Sequence, residues 1–322
     1  MSRSTPARRA LLRWGAPLAA LVLVAGGVLL GKTTNAFGPD RVCRGWVTAA
    51  DAQRALGGTG PLSSTESEPG SCQVRLGGWD PGAGTMLIIA PVDRSPRFPF
   101  DQGVWHISGN APILVGSRTA GAVDKRGGWV LLPDSCREAV PQANEDERLT
   151  LRATVLHGDG DPAGLARVLE SAARGLVEQH GCAGPDAVTV GEPSSASPAV
   201  ATDFGTVCGL DGFTLPQPHS GTVVERVSGS RDGDGWFCDL AFSHDSSEGS
   251  FARFAIVRHP DLATALSNTR FPRARCGGRD TYFAWDENDY WTPEKRANAG
   301  FPAKKDLSEA FRTAARKALR CT

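Results

Sequence analysis

The sequence has no net charge, because 35 lysine and arginine residues balance 35 acidic residues. A dedicated nucleic-acid-binding protein carries a basic excess, so this balance argues against a nucleic-acid partner. The charges are unevenly placed. Residues 1–37 contain five basic side chains and no acidic one, whereas residues 38–322 contain 30 basic and 35 acidic side chains. The N-terminal segment is therefore basic, whereas the remainder has a small acidic excess.

The chain also lacks the short motifs that mark common active sites. No two cysteines have the close spacing of a zinc site, and no H-E-x-x-H, G-x-S-x-G or P-loop pattern is present. We therefore predict no metal, no cofactor and no catalytic residue. Because a Ser-His-Asp triad is defined in space rather than in sequence, an extracytoplasmic hydrolase stays open as an alternative.

An uncharged run of 18 residues, from Trp14 to Gly31, separates Arg13 from Lys32. As a helix it would extend about 27 Å, close to the roughly 30 Å hydrocarbon core of a bilayer. Four arginines precede the run, which predicts a signal anchor with the N-terminus inside and the remainder of the chain outside. Two alternatives are a signal peptide cleaved after Ala36 and a buried helix of a soluble protein.

Eight cysteines fit the oxidising compartment that an exported chain reaches. The intervals between them are 29, 64 and 46 residues in the first four and 30, 38 and 45 in the last four. The matching outer intervals indicate an internal duplication. Because the middle interval changes alone, we expect two locally closed disulfide loops in each half. The expected pairs are Cys43 with Cys72, Cys136 with Cys182, Cys208 with Cys238, and Cys276 with Cys321.

Each half also contains the signals of helices and strands. Apolar residues at helical spacing predict helices over 165–176 and 307–318, with Asp161 and Asp306 as N-caps, and 48–56 reads as a short capped helix. Around 105–125 we expect an additional hairpin. Alternating or apolar runs predict strands over 72–76, 85–92, 129–132 and 149–156, and over 236–242, 251–257 and 281–285.

These signals predict an α+β protein. It would contain two related disulfide-bonded domains, each a small, mostly antiparallel sheet with a C-terminal helix, after one N-terminal transmembrane helix. The expected boundaries are 1–37 for the cytoplasmic stub and anchor, 38–190 for the first domain, 191–200 for a linker and 201–322 for the second domain.

One segment combines aromatic and acidic side chains in the second half only. Amphipathic rings favour contact surfaces, so the segment is a candidate for binding a partner. The competing interpretation is that its rings fill the second core. The candidate residues are Trp285, Asp286, Glu287, Asp289, Tyr290 and Trp291.

The stretch from Cys43 to Gly57, Cys-Arg-Gly-Trp-Val-Thr-Ala-Ala-Asp-Ala-Gln-Arg-Ala-Leu-Gly, is followed by Cys72-Gln-Val. It resembles a family of actinobacterial exported lipoproteins of unknown function, over roughly fifty residues. The resemblance implies a first cysteine, a short helix ending in Leu-Gly and a second cysteine heading a strand. This chain lacks the lipid-modified cysteine of that family, so it departs from the family in its anchoring, and no catalytic residue carries over.

The sequence therefore favours a single-pass membrane protein whose domains lie outside the cell membrane. We expect non-enzymatic binding or sensing of an envelope protein or cell-wall component, with the membrane contacted through the N-terminal helix. An accessory subunit of a membrane complex is a second alternative to the hydrolase.

Overall fold

The computed structural model describes most of the chain from residue 23 onward. The described residues are 23–36, 38–67, 70–77, 84–93, 114–115, 119–140, 149–193, 198–219, 221–243, 250–260, 262, 271–288 and 290–322. The first part of the expected anchor, much of the expected hairpin near 105–125, and the middle of the expected linker lie outside them.

The N-terminal part of the described chain is a helix, α1, over residues 23–33. Its apolar side chains are exposed: Leu23 is 75% and Val24 is 66% accessible. Among the described residues, no helix has both the length and the apolar character needed to cross a membrane.

A short hairpin and a helix follow. The hairpin pairs β1 (Arg41–Val42) with β2 (Val47–Thr48), and α2 (Ala49–Ala55) begins directly after it. The Thr48 side chain accepts a hydrogen bond from the backbone N–H of Asp51, so this helix has the expected N-cap.

The first sheet has six antiparallel strands in the order β3-β4-β5-β9-β8-β7. Helix α3 (Pro162–His180) follows it, with Asp161 as its N-cap and Gly181 in the left-handed conformation at its end. The strands are β3 (Leu62–Glu66), β4 (Cys72–Leu76), β5 (Met86–Asp93), β7 (Gly121–Asp124), β8 (Gly127–Leu131) and β9 (Leu149–Leu156). A separate pair joins β6 (Leu114–Val115) to β10 (Glu192–Pro193).

The second sheet also has six antiparallel strands, in the order β11-β12-β13-β14-β16-β15. Two helices follow it, α4 (Pro293–Asn298) and α5 (Lys304–Ala318). The strands are β11 (Val200–Ala201), β12 (Val223–Gly229), β13 (Gly235–Phe242), β14 (Ala252–Val257), β15 (Arg273–Cys276) and β16 (Arg279–Glu287).

The two sheets share an arrangement of five strands. In each sheet, three strands pair side by side in chain order, namely β3-β4-β5 and β12-β13-β14. A later antiparallel pair, β8-β9 or β15-β16, then adds its second strand next to β5 or β14, which gives the orders β3-β4-β5-β9-β8 and β12-β13-β14-β16-β15. The four disulfides have the pairing that the cysteine spacing predicts. They join Cys43 to Cys72, Cys136 to Cys182, Cys208 to Cys238, and Cys276 to Cys321.

Three apolar clusters hold these layers together. The first packs α2 and α3 against one face of the first sheet, and the second packs α5 against one face of the second sheet. Strand side chains alternate between the two faces of a sheet. The residues that alternate with the core residues along each strand therefore point to the opposite face of that sheet. There Trp129 and Leu131 of the first sheet meet Ala255 and Tyr282 of the second in a third cluster.

Two local expectations differ from the structure. Ala303, not Asp306, is the N-cap of α5, and Asp306 lies in the first turn, where its negative charge still favours the positive end of the helix dipole. The expected linker contributes structure at both ends, since Glu192–Pro193 forms β10 and Val200–Ala201 adds an edge strand to the second sheet.

Candidate functional site

The aromatic rings of the segment from Trp285 to Trp291 lie in the second core. Trp285 and Trp291 are each 7% exposed, so the expectation that they form an exposed contact surface is wrong. The ring of Trp291 lies 4.7 Å from that of Phe251 and 5.4 Å from that of Phe242, measured between centroids. Trp285 stacks on Phe254. Large rings fill the space between the sheet and its helices.

The acidic side chains of this segment hold the last two helices against the sheet. Glu287 is paired with Arg296 of α4, and Asp286 is paired with Lys304 of α5. Burial raises the pKa of the Glu287 carboxyl, and the hydrogen bonds from Arg296 oppose this increase. These ion pairs give both carboxylates a structural role, since they connect α4 and α5 to the second sheet.

The remaining two candidates of the segment are Asp289 and Tyr290. Tyr290 is partly buried against the second core, and the ammonium group of Lys295 lies 5.4 Å from the centre of its ring. Asp289 lies outside the described residues. The segment therefore offers no exposed aromatic surface in the part of it that the structure describes.

A strained turn stands at the first cysteine of the chain. Cys43, Arg44 and Gly45 have positive φ angles of 54°, 57° and 83°. This backbone region is costly for residues other than glycine, and it persists where surrounding structure enforces it. Here the disulfide of Cys43 fixes one side, and Arg41 donates hydrogen bonds to the carbonyl oxygens of Gly45 and Trp46.

The turn and helix α3 form the two walls of an open groove of about 540 Å³, which we name the arginine groove. Its described lining contains three guanidinium groups and one carboxylate. Its residues are Arg41, Arg44, Gly45, Trp46, Ser171, Arg174, Gly175, Glu178 and Gln179.

Contact between Trp46 and Gly175 sets how closely the two walls approach. Trp46 belongs to the first core, and a β-carbon at position 175 would collide with its indole ring. Glycine at this position therefore lets the turn lie directly against α3. A glycine in the interior of a helix costs about 1 kcal/mol relative to alanine, so its presence here has a packing reason.

The three arginines of the groove differ in their partners. Arg44 is paired with Glu66 at 2.9 Å, and Arg174 is paired with Glu170 at 2.7 Å on the same helix. Arg41 is exposed and has no carboxylate within 4.0 Å among the residues that the structure describes. Among the described residues, therefore, no carboxylate compensates its positive charge at close range.

The groove is basic within an acidic half of the chain. Residues 38–200 contain 14 basic and 19 acidic side chains, whereas the described lining has three arginines and one acid, Glu178. Two of these arginines are paired with carboxylates outside the lining, those of Glu66 and Glu170. Clustering of one charge sign against the sign of the whole domain is a feature of sites that attract ligands of opposite charge.

A second groove of about 560 Å³ lies between the N-terminal half of α3 and residues 190–193, which include β10. Its lining contains three carboxylates, those of Asp161, Glu170 and Glu192, and one guanidinium, that of Arg167. Asp161 is engaged as the N-cap of α3. The described lining of this groove therefore has more acidic than basic side chains, whereas that of the arginine groove has more basic than acidic ones.

Metal and thiol chemistry have no site in the described part of the chain. No group of three or more histidine, cysteine, aspartate or glutamate side chains that could hold a metal ion is found there. All eight cysteines are in disulfides, so none is a free nucleophile.

The arginine groove was not predicted from the sequence. Its residues come from two segments more than 120 positions apart, and no motif links them. The available signals were local: a glycine two residues after a cysteine in Cys-Arg-Gly-Trp, and a glycine inside the amphipathic α3. No protein-family model, no curated protein and no solved structure matches this chain.

Proposed function

We propose that this chain is a membrane-anchored extracytoplasmic protein that binds or senses an envelope component through the arginine groove. The groove is the observation that carries the proposal. It combines a strained wall tied by a disulfide with three arginines on two walls, and Arg41 has no carboxylate within 4.0 Å among the described residues. Strained backbone and focused charge occur together at binding sites, because a rigid wall keeps charged groups in place for a ligand.

The proposed location is supported by the disulfides and by the N-terminal segment. Four disulfides are characteristic of extracytoplasmic proteins. The basic residues before the uncharged run from 14 to 31 favour an N-terminus inside. In α1 the apolar side chains of Leu23, Val24 and Leu29 are more than half exposed, as expected of a helix whose partner is lipid.

We further propose that the two halves arose by duplication and that the groove is a specialisation of the first. The shared order of five strands and the matching disulfides support a common origin. In the register of the two Ala-Ala-Arg segments, Gly175 corresponds to Lys317, and three residues after the first cysteine Trp46 corresponds to Asp211. The second half thus lacks the pair that brings the walls of the groove together.

The location is tested by expressing the full chain with a C-terminal tag. We expect the tag to remain in the membrane fraction after an alkaline carbonate wash and to be removed by protease added to intact cells. A chain beginning at residue 38 behind a cleavable export signal serves as the control and should be released. Recovery of the full chain in the medium, or protection of its tag from protease, would contradict the proposed topology.

Binding is tested by sedimenting the full chain with isolated envelope material at low salt. We expect Arg174→Gln to reduce the bound fraction at least fivefold. Arg167→Gln is the matched control, because Arg167 is exposed on the same face of α3, two turns away, and lines the other groove. No binding of the unaltered chain, or equal loss in both variants, would contradict the assignment of the function to this groove.

A further inference from the structure

We propose that the arginine groove recognises a phosphate group carried by the envelope ligand. The inference rests on the proposed function and names the chemistry of the ligand. It follows from the number of the three guanidinium groups, their placement on two walls of the groove and their remaining hydrogen-bond donors.

The guanidinium groups retain donors that could reach a ligand. Each arginine has five N–H donors. In the described part of the chain, Arg41 uses two bonds for the turn, Arg44 uses one for Glu66, and Arg174 uses two, for Glu170 and for the carbonyl oxygen of Val188. At least three N–H groups of each arginine therefore remain for an anion in the groove.

The arrangement of these donors suits phosphate better than carboxylate. A carboxylate has two oxygens in one plane, and a single arginine can satisfy it with two parallel hydrogen bonds. A phosphate group presents several oxygens in tetrahedral directions. Arg41 and Arg44 lie on the turn and Arg174 lies on the opposing helix, so donors approach from two walls. Arginine is also the side chain best suited to phosphate recognition.

The groove holds its arginines in place before any ligand arrives. Arg44 and Arg174 are paired with Glu66 and Glu170, Arg174 also donates to the carbonyl oxygen of Val188, and Arg41 donates to the carbonyl oxygens of the strained turn. Preorganised side chains lose little conformational entropy when they bind. A phosphate would then bind to the N–H groups that these arginines do not use for Glu66, Glu170 or the turn, and Glu178 is the one acid in the described lining.

Phosphate can come from two sources in an envelope, namely a phospholipid headgroup or a phosphate-bearing wall polymer. The test uses the full chain in nanodiscs of neutral phosphatidylcholine and measures binding by calorimetry. The probes are soluble poly(glycerol phosphate), dihexanoyl phosphatidylglycerol below its micelle concentration, and polygalacturonate as a carboxylate polymer. We expect at least one phosphate probe to bind at least tenfold more tightly than polygalacturonate. The tighter phosphate probe identifies the source.

The variants separate recognition from general charge effects. Arg174→Gln should weaken binding of the phosphate probe at least tenfold, equivalent to about 1.4 kcal/mol, and Arg167→Gln should leave it within twofold. Gln179→Glu is the second variant. It adds a negative charge to the lining without removing any of the hydrogen bonds described here, so weaker binding with an unchanged melting temperature reports on the groove itself.

Several outcomes would overturn the inference. They are binding of neither phosphate probe, equal or tighter binding of polygalacturonate, and equal weakening by Arg174→Gln and Arg167→Gln. If the chain still sediments with envelope material while both phosphate probes fail, only the ligand chemistry is wrong. If sedimentation fails as well, the proposed function fails with it.

Discussion

Glu225 shows how burial changes the behaviour of a single acidic residue. It is 8% exposed on β12, and its carboxylate accepts a hydrogen bond of 2.9 Å from the backbone N–H of Cys208. Cys208 has a positive φ of 59°, so this bond helps to hold a strained turn. Burial nevertheless raises the pKa of the Glu225 carboxyl, because removing the charge from water costs more than the hydrogen bond returns.

The raised pKa predicts the sign of a pH effect. The folded protein binds the proton of Glu225 more tightly than the unfolded chain, so stability falls as pH rises from the unfolded pKa through the folded one. Glu225→Gln keeps an oxygen for the N–H of Cys208 and removes the charge. We expect the free energy of unfolding of this variant, relative to the unaltered chain, to increase between pH 4 and pH 7, as measured by urea unfolding. Glu309→Gln, on the exposed side of α5, is the control, and a difference that does not change with pH would refute the prediction.

Trp291 provides a residue-scale test of the second core. Its ring contacts Phe251, Phe242 and Phe301. Replacing a buried tryptophan with alanine removes the apolar contact area and leaves a cavity, so we expect Trp291→Ala to lower the free energy of unfolding by about 3–5 kcal/mol. Urea unfolding monitored by circular dichroism measures the loss. A loss below 1 kcal/mol would show that the ring is not a core residue.

At the scale of elements, the disulfides connect the turns to the sheets. The Cys43–Cys72 bond ties the strained turn to β4, and the Cys276–Cys321 bond ties the end of the chain to β15. Both turns at a first cysteine have left-handed residues, since Cys43 and Cys208 have φ angles of 54° and 59°. The disulfide and the strained backbone thus occur together, and we infer that the bond keeps the turn in its conformation.

Removing one disulfide should therefore be costly. The bonds close loops of 29 to 46 residues, for which loop-closure entropy gives about 3.5–4 kcal/mol each. We expect the double substitution Cys43→Ala with Cys72→Ala to lower the free energy of unfolding by about that amount. Denaturant unfolding measures the loss, with Cys136→Ala and Cys182→Ala as a second pair. An unchanged midpoint after full reduction of the unaltered chain would contradict a stabilising role.

Several elements could be predicted from the sequence because their signals are local. Cys72–Leu76 and Leu149–Leu156 are strands with the predicted bounds, and α3 begins after its predicted cap. Strands such as β12 were missed, since in Val223–Gly229 the charged Glu225 shares a face with Val223 and Val227, where alternation alone would place an apolar residue. Register and side-chain neighbours depend on tertiary packing, which no local pattern contains.

The candidate site was harder to predict than the elements. Aromatic residues next to acidic residues indicated an exposed contact surface. Burial, however, depends on how much space the sheet and the helices leave between them. Here Phe251, Phe254 and Phe301 are the neighbours that bury these rings. The arginine groove depends on the approach of two distant segments. Arg41 and Arg174 therefore form one candidate site only in the folded chain.

At the scale of the whole molecule, the two sheets pack face to face. Helices cover the outer face of each sheet, and the inner faces share an apolar cluster containing Trp129, Ala255 and Tyr282. A buried ion pair lies on the same face of the second sheet, where Arg253 contacts Asp239 at 2.6 and 3.0 Å. The two halves should therefore unfold together.

Cooperative unfolding can be tested at the contact between the sheets. We expect the unaltered chain to unfold in one calorimetric transition. The indole N–H of Trp129 has no hydrogen-bond partner among the described residues, so Trp129→Ala removes a large ring from the shared cluster without breaking a hydrogen bond there. We expect this variant to unfold in two transitions. Two transitions in the unaltered chain would show that the shared cluster does not couple the halves.

Photocrosslinking in intact cells tests the function of the arginine groove. A photoreactive phenylalanine at position 171 lies in the groove, and the same residue at position 313 takes the matching position in α5, since Ser171 and Thr313 share a register relative to Ala-Ala-Arg. Irradiation followed by denaturing electrophoresis should give adducts with envelope material from position 171, and Arg174→Gln should reduce them. Adducts only from position 313, or none from position 171 while the protein is present and folded at the cell surface, would contradict binding through this groove.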